Sequence, residues 1–402
     1  MKIFRKELAK IFNIRLILIL AGFAVIFEYL FINWNYYPGY SASSPYDVPF
    51  YEELVTEFGP TLSIDEYNDF LQKKKDLAAV VEAEMQNSEV FRKYGVETIE
   101  QFEEYHNKSG ELTEEENLIL EETTNFWFRN EVTEPILFRI QVLNQYIEDI
   151  GSHFFADDEG MEYWSEYFSH HSPDVQERMQ ELFRRKEVSL LPDSVYNLIN
   201  DDFLMLAILS IICCFVLVLS YQITERLRGI LPIAVSAKVG RRIFRRQMFT
   251  SVISGIILGI VIGGIYGVML WSKNVFIFAA CPLSGRLYRF WLDMTFGQYI
   301  LLCFLLLILI SAAAALLAHF IGRLSANYIA GIAVSIPSVA AYYALVFLFG
   351  SFMFKVGDYG RFQSESLAAS MLWTFGGFAL LAGAIGAASG VMLKRDRRRD
   401  IL

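Results

Sequence analysis

Cysteine is scarce in this 402-residue chain: Cys213, Cys214, Cys281 and Cys303 are the full set. All four lie in or beside apolar runs, and none falls between residues 34 and 202. A disulfide framework in that stretch is therefore excluded, and zinc-ligand spacing is absent. The four read as small apolar side chains. Histidine is nearly as rare, at five. His153, His170 and His171 lie near Asp157, Asp158, Glu159 and Asp174 in a spacing that fits no metal pattern, so no metal is expected. No G-x-x-x-x-G-K-[ST] run occurs, and no cytoplasmic stretch is long enough for a nucleotide-binding domain. Nothing resembles a catalytic triad or a paired-carboxylate site, so the chain is not read as an enzyme. Charge of one sign is missing region by region. Residues 34–202 hold 37 acids against 12 bases, and the rest of the chain holds 8 acids against 23 bases.

Long apolar runs fill the basic part. The chain is 54% hydrophobic with a mean hydropathy of +0.34, too apolar for a soluble chain of this length. About 20 apolar residues cross a hydrocarbon core. Six segments qualify: Ile14–Asn33, Phe203–Gln222, Met248–Trp271, Gln298–Phe320, Leu324–Phe349 and Leu367–Leu393. Residues 1–15, residues 223–247, the fourth–fifth turn and the tail together carry 18 bases, and the opposite short loops carry 5. Lys and Arg stay on the cytoplasmic side, whereas a long loop crosses whatever its charge. Both termini and the 223–247 loop are thus expected in the cytoplasm, and the acidic domain (34–202) outside, in the plasma membrane. Ser41-Ala42-Ser43 is small enough for a signal-peptide cleavage site but lies well past the apolar run, so a retained first span (14–33) is expected.

Gly255, Gly259, Gly263 and Gly267 recur every four residues in the third span, and Ala382, Gly386 and Gly390 repeat the idea in the sixth. Such ridges let helices approach closely in lipid, either as plain packing or as a face that slides during a conformational cycle. Pro337 is expected to kink the fifth span. Glu28 is the one carboxylate inside a span, a structural residue or an intramembrane polar site. His319, at the cytoplasmic end of the fourth span, is expected at the interface.

Residues 1–13, MKIFRKELAKIFN, place Ile3/Phe4, Leu8 and Ile11/Phe12 near the helical period, with Lys2, Arg5, Lys6 and Lys10 on the other face. This reads as an amphipathic helix lying in the inner interface. The 223–247 loop carries Glu225, Gly229, the apolar run Ile230–Val235 including Ile233, then Ser236 and Gly240-Arg241. Apolar residues facing the cytosol call for a partner or the membrane surface.

On these residues and the span count, residues 1–33 and 203–402 resemble the membrane subunit of a type-2 ABC exporter. The resemblance implies an all-α polytopic membrane protein: an N-terminal interfacial elbow helix, six transmembrane helices, and a mainly helical extracellular domain between spans one and two. It implies that the 223–247 loop forms a coupling helix docking on a separate ABC ATPase subunit. That subunit would bind ATP and Mg, with no cofactor on this chain. A second permease copy or a homologous permease would complete the pathway. Membrane lipids surround it, and no nucleic-acid partner is expected. The substrate class stays open among amphipathic peptides, lipids and drugs. A different class also fits, a non-transporting mechanotransmission protein acting through its outer domain, as does an ATP-independent sensor or scaffold.

Within 34–202, residues 34–60 read as irregular chain. Capping pairs Ser63/Glu66, Thr98/Gln101, Thr113/Glu116 and Ser172-Pro173/Gln176 then predict successive helices, with an interruption near Pro135 and an end at Gly151. A last helix from Asp193 or Ser194 runs into the second span. No alternating strand pattern is visible. Aromatics such as Phe126, Trp127 and Phe154 read as core or as an apolar groove, and the acidic surface as solvated or as attracting a cationic peptide.

Overall fold

A computed structural model describes residues 2–32, 47–106, 113–129, 173–185, 187–228, 240–284, 293–325 and 327–354, with short helical pieces between 136 and 147 and between 376 and 391. In chain order its elements begin with α1 (Lys2–Ile11), α2 (Ile14–Phe27, continued by a π turn, Glu28–Ile32), α3 (Asp47–Phe58), β1 (Thr61–Ser63) and α4 (Ile64–Asn87). Then come α5 (Glu89–Tyr94), α6 (Ile99–His106), α7 (Glu114–Arg129), α8 (Pro173–Arg185) and β2 (Glu187–Ser189). The last are α9 (Asp193–Leu227), α10 (Gly240–Ser272), a 3-10 turn (Val275–Ala280), α11 (Phe296–Leu324) and α12 (Tyr328–Phe354). Two compact units form. One is Met1–Tyr40 with Asp193–Leu283 and Leu287–Leu402, and the other is Ser41–Pro192 with Ser284–Arg286.

The first unit is a helical bundle. Among the described residues, five helical stretches are long and apolar enough to cross a membrane: Ile14–Ile32, Ser194–Leu227, Arg245–Ser272, Phe296–Leu324 and Tyr328–Leu348. α11 is central, packing on both α9 and α10. Its Leu306, Leu307, Ile310, Ala314, Ala315 and Ala318 are fully or almost fully buried. By contrast α2 exposes Leu18, Ile19, Val25 and Ile26, and α12 exposes Ile329, Ile332, Ile336 and Leu348. That much apolar surface is tolerated in lipid and not in water. The unit is a multi-pass membrane bundle. The expected sixth span, Leu367–Leu393, lies largely outside the described residues.

The span boundaries follow from capping. Thr295 and Gln298 form a capping box at the start of α11: Thr295 N–H donates to Gln298 Oε1 (3.0 Å) and Gln298 N–H to Thr295 Oγ1 (3.3 Å). Leu324, expected to open the fifth span, instead closes α11. The chain turns at Ser325, and Asn327 Oδ1 accepts the Ala330 N–H (2.8 Å) to start α12. Helix α12 continues across Pro337.

The second unit is built from short helices. Three capping pairs sit where the sequence places them, and a fourth helix starts at the expected proline. The Glu66 carboxylate accepts both the N–H and the hydroxyl of Ser63 (2.8 and 2.7 Å). Thr98 N–H donates to Gln101 (3.3 Å), Thr113 N–H donates to Glu116 (2.8 Å), and Pro173 opens α8. Val81, Met85, Phe91, Val96, Ile99, Ile119 and Ile140 form its core. Each such side chain contributes about 1.5–3 kcal/mol when fully buried. Gly95 ends α5 at φ 68°, the left-handed region where a side chain is strained.

Two expectations fail here. Residues 34–60 are not all irregular, because 47–58 form α3. Phe50, Tyr51, Leu54 and Val55 recur at helical spacing and are all buried, and Pro49 lies in the first turn, where its missing N–H costs nothing. A two-stranded antiparallel sheet also exists, pairing Thr61 with Ser189, Leu62 with Val188 and Ser63 with Glu187. Three-residue strands are too short for alternation to register. The interruption near Pro135, the Gly151 end and His153, His170 and His171 lie outside the described residues, as do Ser41-Ala42-Ser43.

Candidate functional site

The last two turns of α9 are Tyr221-Gln222-Ile223-Thr224-Glu225-Arg226. Successive helical residues point about 100° apart, so these five polar side chains cover several sides of the helix, with Ile223 on the remaining one. Each side meets a different neighbour. Tyr221 donates its hydroxyl to Glu7 of α1. Gln222 Nε2 lies 2.8 Å from Nδ1 of His319 on α11, and Ser251 Oγ of α10 lies 3.1 Å from the same nitrogen. Thr224 Oγ1 bonds the Tyr328 hydroxyl of α12 at 2.6 Å. Glu225 takes the Lys10 ammonium of α1 at 3.1 Å. Arg226 donates to the carbonyls of Arg323 (3.2 Å) and Ser325 (2.6 Å), satisfying the free end of α11.

α1 is held by charge as well as by packing. Ile11 is fully buried and the Phe4 ring lies 6.5 Å from Phe249 of α10. Glu7, on the same stripe, is buried, and Lys10 bridges it (3.0 Å) to Glu225. Burial opposes the charge on Lys10, but hydrogen bonds to Glu7 and Glu225 and their two negative charges outweigh it. Its pKa lies above the usual 10.5. The helix expected to lie in the interface on its apolar face thus turns that face onto α9 and α10.

His319, expected at the membrane interface, is buried within the bundle. α11 runs one more turn beyond it to Leu324, and Gln222 and Ser251 supply the polar contacts a buried imidazole requires. Gly322 keeps the helices close: a Cβ there would meet Gln222 Cβ at 2.8 Å.

Two further polar layers tie the same helices. Mid-bundle, Ser210 and Ser311 share a hydrogen bond, Cys214 Sγ donates to the Ser311 carbonyl (3.3 Å), and the Tyr342 hydroxyl donates to the Ile310 carbonyl (2.9 Å). Near the start of α9, Asn200 accepts from Tyr299 (2.6 Å) and Asp202 from Tyr266 (2.7 Å). About 30 Å of helix separates these layers from first to last.

The glycine ridge of α10 faces α11. A Cβ on Gly255 would meet the Ser311 carbonyl at 2.4 Å, and one on Gly259 would meet Ile308 Cα at 2.9 Å. Gly263 and Gly267 sit more loosely, 3.6 and 3.5 Å from Leu307 and Phe304. A Cβ built at Gly386 or Gly390 meets no atom of the described residues within 4 Å. Glu28 is half-buried in the π turn that ends α2. Of the loop residues, Glu225 is the buried partner of Lys10, and Gly240 and Arg241 open α10. Gly229, Ile230, Ile233 and Ser236 lie outside the described residues. Glu7, Tyr221, Gln222, Ser251 and Arg226 were not singled out in the sequence, and Lys10 was read only as part of the basic face of the first helix. One signal was available, a carboxylate at position 7 on the stripe Phe4–Leu8–Ile11.

Among the described residues no cluster of three His, Cys, Asp or Glu side chains could hold a metal ion. The junction holds helices together. Fold and site define a mostly helical, multi-pass membrane protein. No family model, curated protein or solved structure matches the chain.

Proposed function

We propose that the chain is the permease subunit of an ATP-driven type-2 ABC exporter, working as a dimer with a second copy or a homologous permease. ATP and Mg belong to a separate ATPase subunit, docked on the cytoplasmic loop through Gly229, Ile230, Ile233, Ser236, Gly240 and Arg241. Six spans, cytoplasmic ends and an extracellular acidic unit complete this reading.

One observation carries it. The helix that enters the loop, α9, is bonded at its end to α1, α11 and α12, and α10 is bonded to the same His319 nitrogen of α11 that Gln222 meets. A push on the end of α9 therefore reaches α1, α11 and α12 directly and α10 through His319. Glu225 acts in this as the residue that keeps α1 on α9. The Gly255/Gly259 seam lets α10 and α11 move as one body, and the polar layer at Asn200 and Asp202 passes the motion to the far end of α9. Alternation between inward- and outward-facing states then needs only differential affinity of the ATPase for ATP in each.

The separate core of the second unit favours one rival, mechanotransmission, in which that unit moves against an external partner without transport. The test of the main reading is isolation of the full-length chain from its native membranes. An ATPase subunit bearing a phosphate loop is expected to co-purify with the wild type and to be lost from a Gly229→Asp/Ile233→Asp variant that still inserts. Wild type recovered without any ATPase would overturn it. Substrate-dependent uptake into sealed vesicles separates transport from mechanotransmission.

A further inference from the structure

The acids and bases at the junction end of the bundle are sorted by depth. Glu7 and Glu225 are buried there against Tyr221 and Lys10. Arg5 and Lys6 on α1, Arg15 on α2, Arg228 just past α9, and Arg245 and Arg246 on α10 are all exposed. None of these six forms a salt bridge among the described residues. The contact between Phe4 and Phe249 brings the α1 and α10 bases to one place on the rim. Withdrawing the acids leaves a surface of one sign.

A second observation identifies what that surface meets. Beside the bases stand exposed large apolar side chains: Ile14 and Leu18 next to Arg15, Leu227 next to Arg228, and Phe249 one turn from Arg245 and Arg246. A free phosphate or nucleotide satisfies the bases but not the apolar residues. A soluble acidic protein leaves Leu18 and Phe249 against its polar surface. One molecule satisfies both, a lipid with a negative head and acyl chains below it. We propose that this rim, Arg5, Lys6, Arg15, Arg228, Arg245 and Arg246, binds the headgroups of anionic phospholipids, with their chains against Ile14, Leu18, Leu227 and Phe249. The proposal rests on the membrane-spanning character of the bundle and not on transport.

Each base near an anionic surface strengthens binding about fivefold, and the attraction falls with salt. The test uses the purified full-length chain in detergent, with phosphatidylglycerol and phosphatidylcholine of identical chains, read by retained lipid in native mass spectrometry and by the thermal midpoint. Phosphatidylglycerol is expected to be retained preferentially and to raise the midpoint. The preference is expected to shrink in high salt and to be lost in Arg5→Gln/Lys6→Gln/Arg245→Gln/Arg246→Gln. Equal retention of the two lipids by the wild type overturns the proposal whether or not the variant folds. So does full competition by glycerol phosphate, which marks a phosphate site without an acyl requirement. A variant that keeps its lipid preference but loses a protein partner assigns the rim to that partner and also overturns it.

Discussion

Glu7 stands on the stripe that Phe4, Leu8 and Ile11 would otherwise keep apolar, and its burial has a consequence for Lys10. The ammonium is 40% exposed at the side chain, while Glu225 is only 5% exposed. Breaking a buried pair costs several kcal/mol, reduced here because Lys10 still meets solvent, so Lys10→Met is expected to cost about 1–2 kcal/mol. A double-mutant cycle of Lys10→Met with Glu225→Gln, followed by thermal unfolding in lipid discs, is expected to give a coupling of about 1 kcal/mol. Additive single effects would place the two residues in separate roles. His319→Ala is expected to cost about 1–3 kcal/mol, because it leaves Gln222 and Ser251 facing an unfilled site. In the sequence, Glu225 was visible through the loop motif, whereas Glu7 was passed over although it stands on the apolar stripe. The burial of His319 was not legible, because only the packing of α9 and α10 on α11 encloses that position.

At the scale of elements, the four-residue glycine spacing in α10 was legible, but which helix it meets was not, since any small-residue ridge accepts any smooth neighbour. The structure separates tight positions from loose ones. Gly255→Ala drives a methyl group into the Ser311 carbonyl and is expected to destabilise the bundle by about 1–3 kcal/mol. At Gly264 a Cβ meets nothing within 4 Å, so Gly264→Ala is expected to be neutral or to stabilise by up to about 1 kcal/mol. Comparable losses at both positions, measured as thermal midpoints, would remove the seam from the account. Capping pairs read well in the second unit because the residues involved are three apart and need no tertiary knowledge. α3 was missed because Pro38, Pro45 and Pro60 surround it and Pro49 falls in its first turn, and punctuation outweighed a short apolar face. The fourth–fifth turn was placed at Arg323, slightly before Ser325, because the charge there marks a span end while α11 runs on to Leu324.

For the whole molecule, charge alone divided the chain at 34–202, and the compact unit runs over Ser41–Pro192. The offset arises because Asp201 and Asp202 are acids that belong to α9. The second unit has its own pH signature. Burial works against the charge on Lys73, but hydrogen bonds to Glu57 and Glu53 and their negative charges hold its pKa above 10.5. A raised lysine pKa stabilises fully below the unfolded value and is lost as pH rises through the folded one. The unfolding midpoint of this unit in the full-length chain is therefore expected to be insensitive to Lys73 titration below 10.5 and to fall above it, with Lys73→Met flattening that fall. The proposed sidedness puts the basic end with the 223–247 loop in the cytoplasm and the acidic unit outside. The four native cysteines are buried, so single-cysteine labelling in intact cells has little background. With a membrane-impermeant maleimide, Lys93→Cys is expected to label at once and Arg5→Cys only after the membrane is opened. Labelling of both from the same face of intact cells would contradict the account.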